Sequence, residues 1–153
     1  MVIFSQKELE YLREQRLCRL ATVSKDQIPH VTPLAFATDG ERLYVNIKFD
    51  SKKARNIREN PRVSFVVDDI LSWEIFRAVL VSGKAELISR GKLHQIGRDL
   101  LYKKYPKFQE DFPIEEGGFS KYILVITPTK VMSWVGAGVS SKLSCTSSGV
   151  SRP

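Results

Sequence analysis

Residues 50–53, with the sequence DSKK, have the types and spacing of a helix start that could bind an anion. Asp50 and Ser51 are both good N-caps, which places Lys52 and Lys53 in the first helical turn. A helix N-terminus carries partial positive charge, so a cation there costs about 0.3–1 kcal/mol. A phosphate held by free backbone N–H groups, the Ser51 hydroxyl and the two ammonium groups would reverse that sign.

The same lysines also have a simpler interpretation, in which both extend into solvent and the Asp50 carboxylate offsets their charge. Residues 48–62 contain six basic residues against two acidic ones, a surplus of four out of the chain's net charge of +7. The basic charge is therefore concentrated around this helix start, where Lys48 could also approach an anion. Spacing alone leaves both interpretations open.

Two strands are expected to flank this helix. Residues 43–49 alternate, with one apolar face expected to be core and an opposite face, containing Tyr44, that is polar and could belong to a site. Pro61 ends the helix over residues 52–60, and an apolar strand follows over residues 62–68. Function is therefore sought first between residues 43 and 68.

The segments before this region read as a helix and a hairpin. Ser5 and Glu8 form a capping box that predicts a helix over residues 6–15. Strands are predicted over residues 17–23 and 28–37. Pro29 and Pro33 remove two ladder donors from the second strand, so part of it should be a sheet edge whose backbone is free for a ligand.

The segments after this region end in a tail. A long strand is predicted over residues 78–88, with a bend at Gly83, and a helix over residues 91–105 with His94 on its solvent side. Shorter strands are predicted over residues 122–127 and 130–134. Residues 1–134 are expected to form one domain, and residues 135–153 a flexible tail.

Composition excludes several classes of protein. The chain has 153 residues, is 42% hydrophobic and fits one globular domain. It has no apolar run near 18 residues, so neither a membrane partner nor export is expected. A cytoplasmic location is the expectation. Two cysteines and two histidines make neither a disulfide framework nor a metal site. Six short strands with peripheral helices and no βαβ alternation predict a mainly β fold, a small antiparallel barrel.

Four stretches carry a resemblance to a known family, in their order and spacing. They are LATVSKDQIPHVTPLAFATDGERLYV, SKKARNIRENPRVSFVV, RAVLVSGKAEL and ITPTKVMSW. In these the chain resembles the pyridoxamine 5′-phosphate oxidase-like, FMN-binding split β-barrel proteins. The resemblance implies a homodimer with two flavin sites at the subunit interface and the phosphate on the Ser-x-Lys segment.

The resemblance also implies which residues bind the cofactor. The flavin ring is expected against the backbone of β-strand residues, the phosphate on the helix start, and a basic and an aromatic side chain close by, one of them from the partner subunit. The residues expected at the ring are His30, Val31, Thr32, Pro33, Leu34, Ile47 and Lys48. Those expected at the phosphate are Ser51, Lys52 and Lys53, and the basic and aromatic side chains are Arg77 and Trp134. Ala78 stands where the oxidase proper has glutamine, so oxidation of pyridoxamine phosphate itself is not implied.

A neighbouring branch of this family, which uses the deazaflavin F420, is resembled as well through RNIRENPRVSFVVDD, Trp73 and LLYKKYPKF. F420 carries a phosphate and a polyglutamate tail, and both suit the basic surplus. FMN is the first expectation because it is the family's commonest ligand. No acid–base pair stands out; Tyr44 and His30 are candidates to hydrogen-bond a ligand, although a structural role is as simple for each.

Three functions follow from these observations. The first is a flavin or deazaflavin oxidoreductase acting on a small organic molecule, and the second is a flavin-binding protein without turnover. The third is a nucleic-acid binder, suggested only by a pI near 9.5. Exposed aromatic residues interleaved with basic ones, or a long basic helix, would be expected for the third, and neither pattern occurs. No nucleic-acid partner is therefore expected.

Overall fold

The computed structural model describes residues 4–72, 75–107, 110, 121–137 and 144–148. Three helices and seven strands lie within these ranges. In chain order they are α1 (Gln6–Glu14), β1 (Leu17–Val23), β2 (Pro29–Thr38), β3 (Leu43–Asn46), α2 (Lys52–Glu59), β4 (Arg62–Ser72), β5 (Ile75–Ile88), α3 (Lys92–Lys104), β6 (Ile123–Ala137) and β7 (Ser144–Ser148).

Strands β1 to β6 form a closed antiparallel barrel. The strand order is β3-β2-β1-β4-β5-β6, and pairing of β3 with β6 closes it, while β7 pairs with the free side of β6. The pairing of β3 with β6 covers the edges of these two strands along Leu43–Asn46 and residues 123–126. The expected mainly β fold, a split antiparallel barrel of about six strands with peripheral helices, is confirmed.

The buried apolar side chains form two clusters. The larger fills the barrel, where the rings of Phe36 and Phe65 meet edge to face at 5.1 Å, and Leu12 of α1 packs against its end. The smaller lies under α3 and contains Tyr44 and Leu101. Each helix thus covers part of the barrel rather than forming a layer of its own.

Strand β3 differs from its prediction. It ends at Asn46, and all four of its residues are buried, because α3 covers the face expected to be polar. Tyr44 is fully buried and its hydroxyl donates to Asp39, so a structural role accounts for it. Phe49, expected on the core face, is 48% exposed and packs against Tyr122 with ring centroids 4.8 Å apart.

Strands β4 and β5 extend beyond their predicted bounds, residues 68 and 78, and form one long hairpin. Backbone pairing continues from Arg62 opposite Lys84 to Ser72 opposite Ile75. Trp73, one of the residues on which the F420-branch resemblance rests, lies outside the described residues. The predicted bend at Gly83 is confirmed by a shift in the β5–β6 register between Ser82 and Gly83.

Strand β6 is one long strand rather than two short ones. It runs through Pro128 because the register shift opposite Gly83 accommodates the residue without a ladder donor. It continues to Ala137, and Ser144–Ser148 pair with it as β7. The segment expected to be a flexible tail from residue 135 therefore begins as strand and contains a second one; residues 138–143 and 149–153 lie outside the described residues.

Helix α3 shows a further difference. His94, expected to face solvent, is only 8% exposed, and its Nε2 lies 3.2 Å from the carbonyl of Lys121. The helical spacing identified the buried face correctly for Leu93, Ile96 and Leu100 but not how far the chain before β6 extends over the helix. His94 is a structural residue. None of the helices in the described residues is long and apolar enough to cross a membrane.

Candidate functional site

The start of α2 forms as the sequence predicts. Ser51 is the N-cap, and its Oγ accepts a hydrogen bond from the N–H of Ala54 at 3.3 Å. The same hydroxyl donates to the carbonyl of Lys48 at 2.8 Å, and so does the Ser51 N–H at 3.2 Å. The Ser51 groups that an anion was expected to use are thus already paired, which leaves the first-turn N–H groups of Lys52 and Lys53 without an intrahelical carbonyl.

Lys52 and Lys53 are uncompensated cations in this first turn. The helix has no acidic residue there, and within the described part of the chain neither lysine makes a hydrogen bond or an ion pair. Lys53 is half-buried, and burial lowers the pKa of its ammonium group. Two cations at the positive end of a helix, without a carboxylate beside them, favour an anionic ligand.

His30 is brought to the same place by a chain of polar contacts. The side-chain amide of Asn56, buried on α2, donates to the Thr22 hydroxyl at 3.0 Å, and this hydroxyl lies 3.5 Å from the His30 carbonyl. These bonds hold α2 against the first hairpin. Burial lowers the pKa of His30, and the positive charges of Lys52 and Lys53 lower it further.

One edge of β2 is free beside this helix start. β3 pairs only with Phe36, Ala37 and Thr38, whereas β1 pairs with β2 from Pro29 to Ala35. Among the residues that the structure describes, none pairs with the other side of the backbone from His30 to Leu34, as the two prolines indicated. Val31 is 58% exposed, and the Thr32 hydroxyl is buried without a hydrogen-bond partner.

Ile47 and Lys48, which precede the helix start, differ in burial. The side chain of Ile47 is 1% exposed and belongs to the barrel core, so it can offer a ligand only its backbone. Its N–H already donates to the carbonyl of Tyr122 at 3.3 Å. The side chain of Lys48 is exposed. The expected role of Ile47 in cofactor binding stays a prediction, and its backbone would have to fill that role.

Arg77 is committed to an ion-pair network that sequence reasoning missed. Its Nε and Nη2 donate to the two carboxylate oxygens of Asp69 at 3.1 and 2.6 Å, and its guanidinium lies 4.7 Å from the centre of the Tyr11 ring. Gln15 donates to the same carboxylate. The Arg77 guanidinium is the main cause that lowers the pKa of Asp69, and the Asp69 carboxylate is the main cause that raises the pKa of Arg77.

Trp134 lies on the strand next to Arg77, but on the other face. Arg77 pairs with Val135 and Ala78 pairs with Trp134, so the side chains of Arg77 and Trp134 leave opposite faces of the sheet. Both residues nevertheless contribute to the lining of one cavity of about 370 Å³.

The cavity beside these two residues is lined by no residue of α2, and Arg77 lies far along β5 from the end of that helix. Pro61 follows the end of α2, and its carbonyl accepts a hydrogen bond from the N–H of Ala85 on β5. Arg77 lies eight residues before Ala85 on the same strand. At about 3.3 Å per strand residue this is roughly 26 Å along the strand. One chain thus contains two separate places with ligand-binding character, the start of α2 and the cavity beside Arg77.

A comparison with known families places the chain in one of them. The family described as pyridoxamine 5′-phosphate oxidase matches residues 4–135, which is most of the chain and all of the barrel. The chain belongs to this family.

Three relatives indicate the range of proteins that share this fold. A 5a,11a-dehydrotetracycline/5a,11a-dehydrooxytetracycline reductase from Streptomyces rimosus is 43% identical over 94 residues, 58% of this chain and 66%, just under two thirds, of its own length. A FAD-binding protein from Mesorhizobium loti is 26% identical with a TM-score of 0.69, over 88% of this chain and 95% of that one. A heme storage protein from Vibrio cholerae, at 19% identity and a TM-score of 0.70 over 89% and 98% of the two chains, shares the fold.

Proposed function

We propose that this chain is a flavin-dependent oxidoreductase that reduces a small conjugated organic molecule, with FMN as its cofactor. The observation that carries the proposal is the uncompensated pair of cations, Lys52 and Lys53, at the start of α2 and next to the free edge of β2. Family membership, a reductase among the relatives and a flavin-binding structural neighbour support the redox class.

The residues present fit a flavin phosphate. The ammonium groups of Lys52 and Lys53 and the first-turn N–H groups would hold the phosphate through charge-assisted hydrogen bonds. The unpaired backbone edge from His30 to Leu34 and the partnerless Thr32 hydroxyl would hold and orient the ring. Backbone N–H groups on that edge favour negative charge on whatever lies against them, which is the charge a reduced flavin acquires.

The chemistry itself belongs to the cofactor, which when bound supplies the hydride or electrons. The chain supplies position and electrostatics. Because Tyr44 is fully buried and the positive charges of Lys52 and Lys53 disfavour a protonated His30, neither is assigned the role of a proton donor. This arrangement would leave reduction dependent on the orientation of the two reactants rather than on side-chain acid–base catalysis.

The relative from Streptomyces suggests the kind of substrate. Its name describes reduction of a dehydrotetracycline, a fused-ring compound with a double bond conjugated to a carbonyl. We extend to this chain only the chemical class, a conjugated carbonyl compound, because the alignment covers 66% of that protein's length.

The deazaflavin F420 is the second candidate cofactor. Beyond Lys52 and Lys53, Arg55 and Arg62 are exposed around α2, and a polyanionic tail would gain from such a surface more than the single phosphate of FMN does. The phosphate would bind in the same place in either case. The absorption spectrum of the purified protein, followed by mass spectrometry of the compound that heat releases, distinguishes the two.

Turnover separates an enzyme from a flavin carrier. We expect the protein, reduced anaerobically with its cofactor, to be reoxidised by a conjugated cyclic enone faster than free reduced cofactor is. Equal rates with and without the protein, although the cofactor is bound, would identify a flavin-binding protein without catalysis.

A further inference from the structure

A cavity of about 370 Å³ lies between helix α1 and strands β5 and β6, away from the start of α2. Lys7, Glu8 and Tyr11 line it on the helix side, and Arg77, Val79 and Val135 on the strand side. Its volume lies near the lower end of the range of about 300–1,000 Å³ that is typical of small-molecule sites.

The cavity is held open by a helix that is fixed at both ends. Phe4, just before α1, and Leu12, in its last turn, are buried in the barrel core at 3% and 0% exposure. The Tyr11 hydroxyl donates to the Asp69 carboxylate at 3.0 Å, which ties the helix to β4. Because these anchors lie on either side of Lys7 and Glu8, the space between the helix and the strands is formed before any ligand binds.

The lining offers one cation for a ligand. The Glu8 carboxylate accepts the Ser5 N–H at 2.7 Å in the capping box, and the Arg77 guanidinium is paired with Asp69. The Lys7 ammonium makes no hydrogen bond or ion pair within the described residues and is exposed at the rim. The Tyr11 ring, Val79 and Val135 provide apolar surface.

We propose that this cavity binds a flat, largely apolar molecule that bears one acidic oxygen group, with Lys7 as the residue that recognises the acidic group. The apolar walls favour an aromatic or fused-ring body, and the ammonium group at the rim favours an ionised enol, phenol or carboxylate. That this molecule is the substrate rests on the proposed function, whereas its binding does not.

Two fluorescent probes test the proposal. 8-Anilinonaphthalene-1-sulfonate and N-phenyl-1-naphthylamine share one ring system, and only the first carries an acid. For Lys7→Ala in the full chain we expect the Kd of the sulfonate to rise roughly five- to tenfold, less than for a buried charge-assisted hydrogen bond because Lys7 is exposed, and that of the neutral probe to change less than about twofold.

A matched control and a blocking variant accompany Lys7→Ala. Lys92→Ala also removes an exposed lysine from the first turn of a helix, α3, and should change neither Kd. Ser133→Trp, which fills the cavity from β6, should weaken both probes at least about fivefold, with Val135→Trp at the rim as a second variant if the first lowers the melting temperature.

Three results would overturn the proposal. They are equal sulfonate binding by wild type and Lys7→Ala, undiminished binding by both blocking variants, and displacement of the probes by riboflavin one for one, which would make the cavity a site for the flavin ring. Lys53→Ala should weaken FMN and leave both probes unaffected. Failure of FMN to bind would therefore count against the proposed function, and failure of the probes against this cavity.

Discussion

Lys53 has opposite effects on the ligand and on the free protein. It is a half-buried cation at a helix N-terminus, without a hydrogen-bond or ion-pair partner in the described part of the chain. If it binds the phosphate, Lys53→Ala should weaken FMN binding by roughly 1.5–3 kcal/mol, while riboflavin, which lacks the phosphate, should bind unchanged. Titration of both ligands into wild type and variant measures the difference.

The same variant should leave the free protein as stable as wild type or slightly more so. Removing a cation from the positive end of α2 removes an unfavourable interaction of about 0.3–1 kcal/mol. A thermal melt of the cofactor-free proteins checks this. Equal losses for FMN and riboflavin would place the phosphate elsewhere, and a clearly less stable variant would make Lys53 a structural residue.

His30 reports on the charge of the helix start. Lys52 and Lys53 lower its pKa, so neutralising them should raise it. We expect Lys52→Ala, Lys53→Ala and saturation with FMN each to shift the His30 titration to higher pH. NMR of the two histidine side chains measures the titration. His94, a buried residue of α3, serves as the internal reference. No shift on adding FMN, at concentrations that saturate the protein, would mean that the phosphate binds away from these lysines.

At the scale of the elements, Lys104 ties α3 to α1. Its Nζ donates to the carbonyl of Leu12 at 3.0 Å and lies 3.9 Å from the centre of the Phe36 ring. Burial lowers the pKa of this lysine from 10.5 to about 8. Between these two pH values the unfolded chain binds more protons than the folded one, so the free energy of unfolding rises with pH across that window.

Lys104→Met should remove this dependence. Comparing urea unfolding of wild type and variant from pH 7.5 upward, we expect wild type to gain stability relative to Lys104→Met as the pH rises from about 8 to 10.5. Lys103→Met, at the adjacent exposed lysine, should follow wild type. Parallel curves for wild type and Lys104→Met would show that Lys104 has the same pKa in both states.

The close pairing of β5 with β6 depends on the absence of a side chain at Gly83. A Cβ there would lie 2.6 Å from the carbonyl oxygen of Thr127, which is backbone and cannot rotate away. Gly83→Ala should therefore lower the free energy of unfolding by roughly 1–3 kcal/mol, with Ser82→Ala as the neighbouring control. Chemical denaturation measures both, and an alanine variant as stable as wild type would contradict the close packing.

At the scale of the whole molecule, we propose a symmetric dimer. Several large apolar side chains are exposed, among them Ile70 at 73%, Leu71 at 59% and Val31 at 58%, and a second chain could cover them. Arg77 also lies roughly 26 Å along β5 from the residue that pairs with the end of α2, and in such a dimer the partner chain would supply Arg77 to a ligand held at α2. Light scattering at micromolar concentrations should give twice the mass of 17.4 kDa, and a monomer would contradict the dimer.

Co-expressed variants test whether each flavin site uses both chains. If Lys53 comes from one subunit and Trp134 from the other, a mixed dimer of Lys53→Ala and Trp134→Ala contains one intact site and one doubly damaged site. It should bind half an equivalent of FMN per chain with the affinity of wild type. Two weakened sites and no intact one would place both residues in the same subunit's site.

Local signals in the sequence determined the elements around the candidate site. Ser51 and Pro61 set the bounds of α2, because a cap and a missing N–H act within one turn. Pro29 and Pro33 indicated the free edge of β2 for the same reason, since a proline cannot donate to a ladder. The placement of Lys52 and Lys53 in the first turn of α2 was likewise visible from spacing, although spacing left open whether Asp50 offsets their charge.

Only the tertiary structure decided which residues are covered and which are paired. Tyr44 and His94 are buried because α3 and the chain before β6 fold over them, and no local pattern carries that information. Arg77 was expected at a cofactor but is held by Asp69, eight residues away on the paired strand. Such contacts depend on register and closure of the barrel, which join residues far apart in the chain, and so does the cavity under α1.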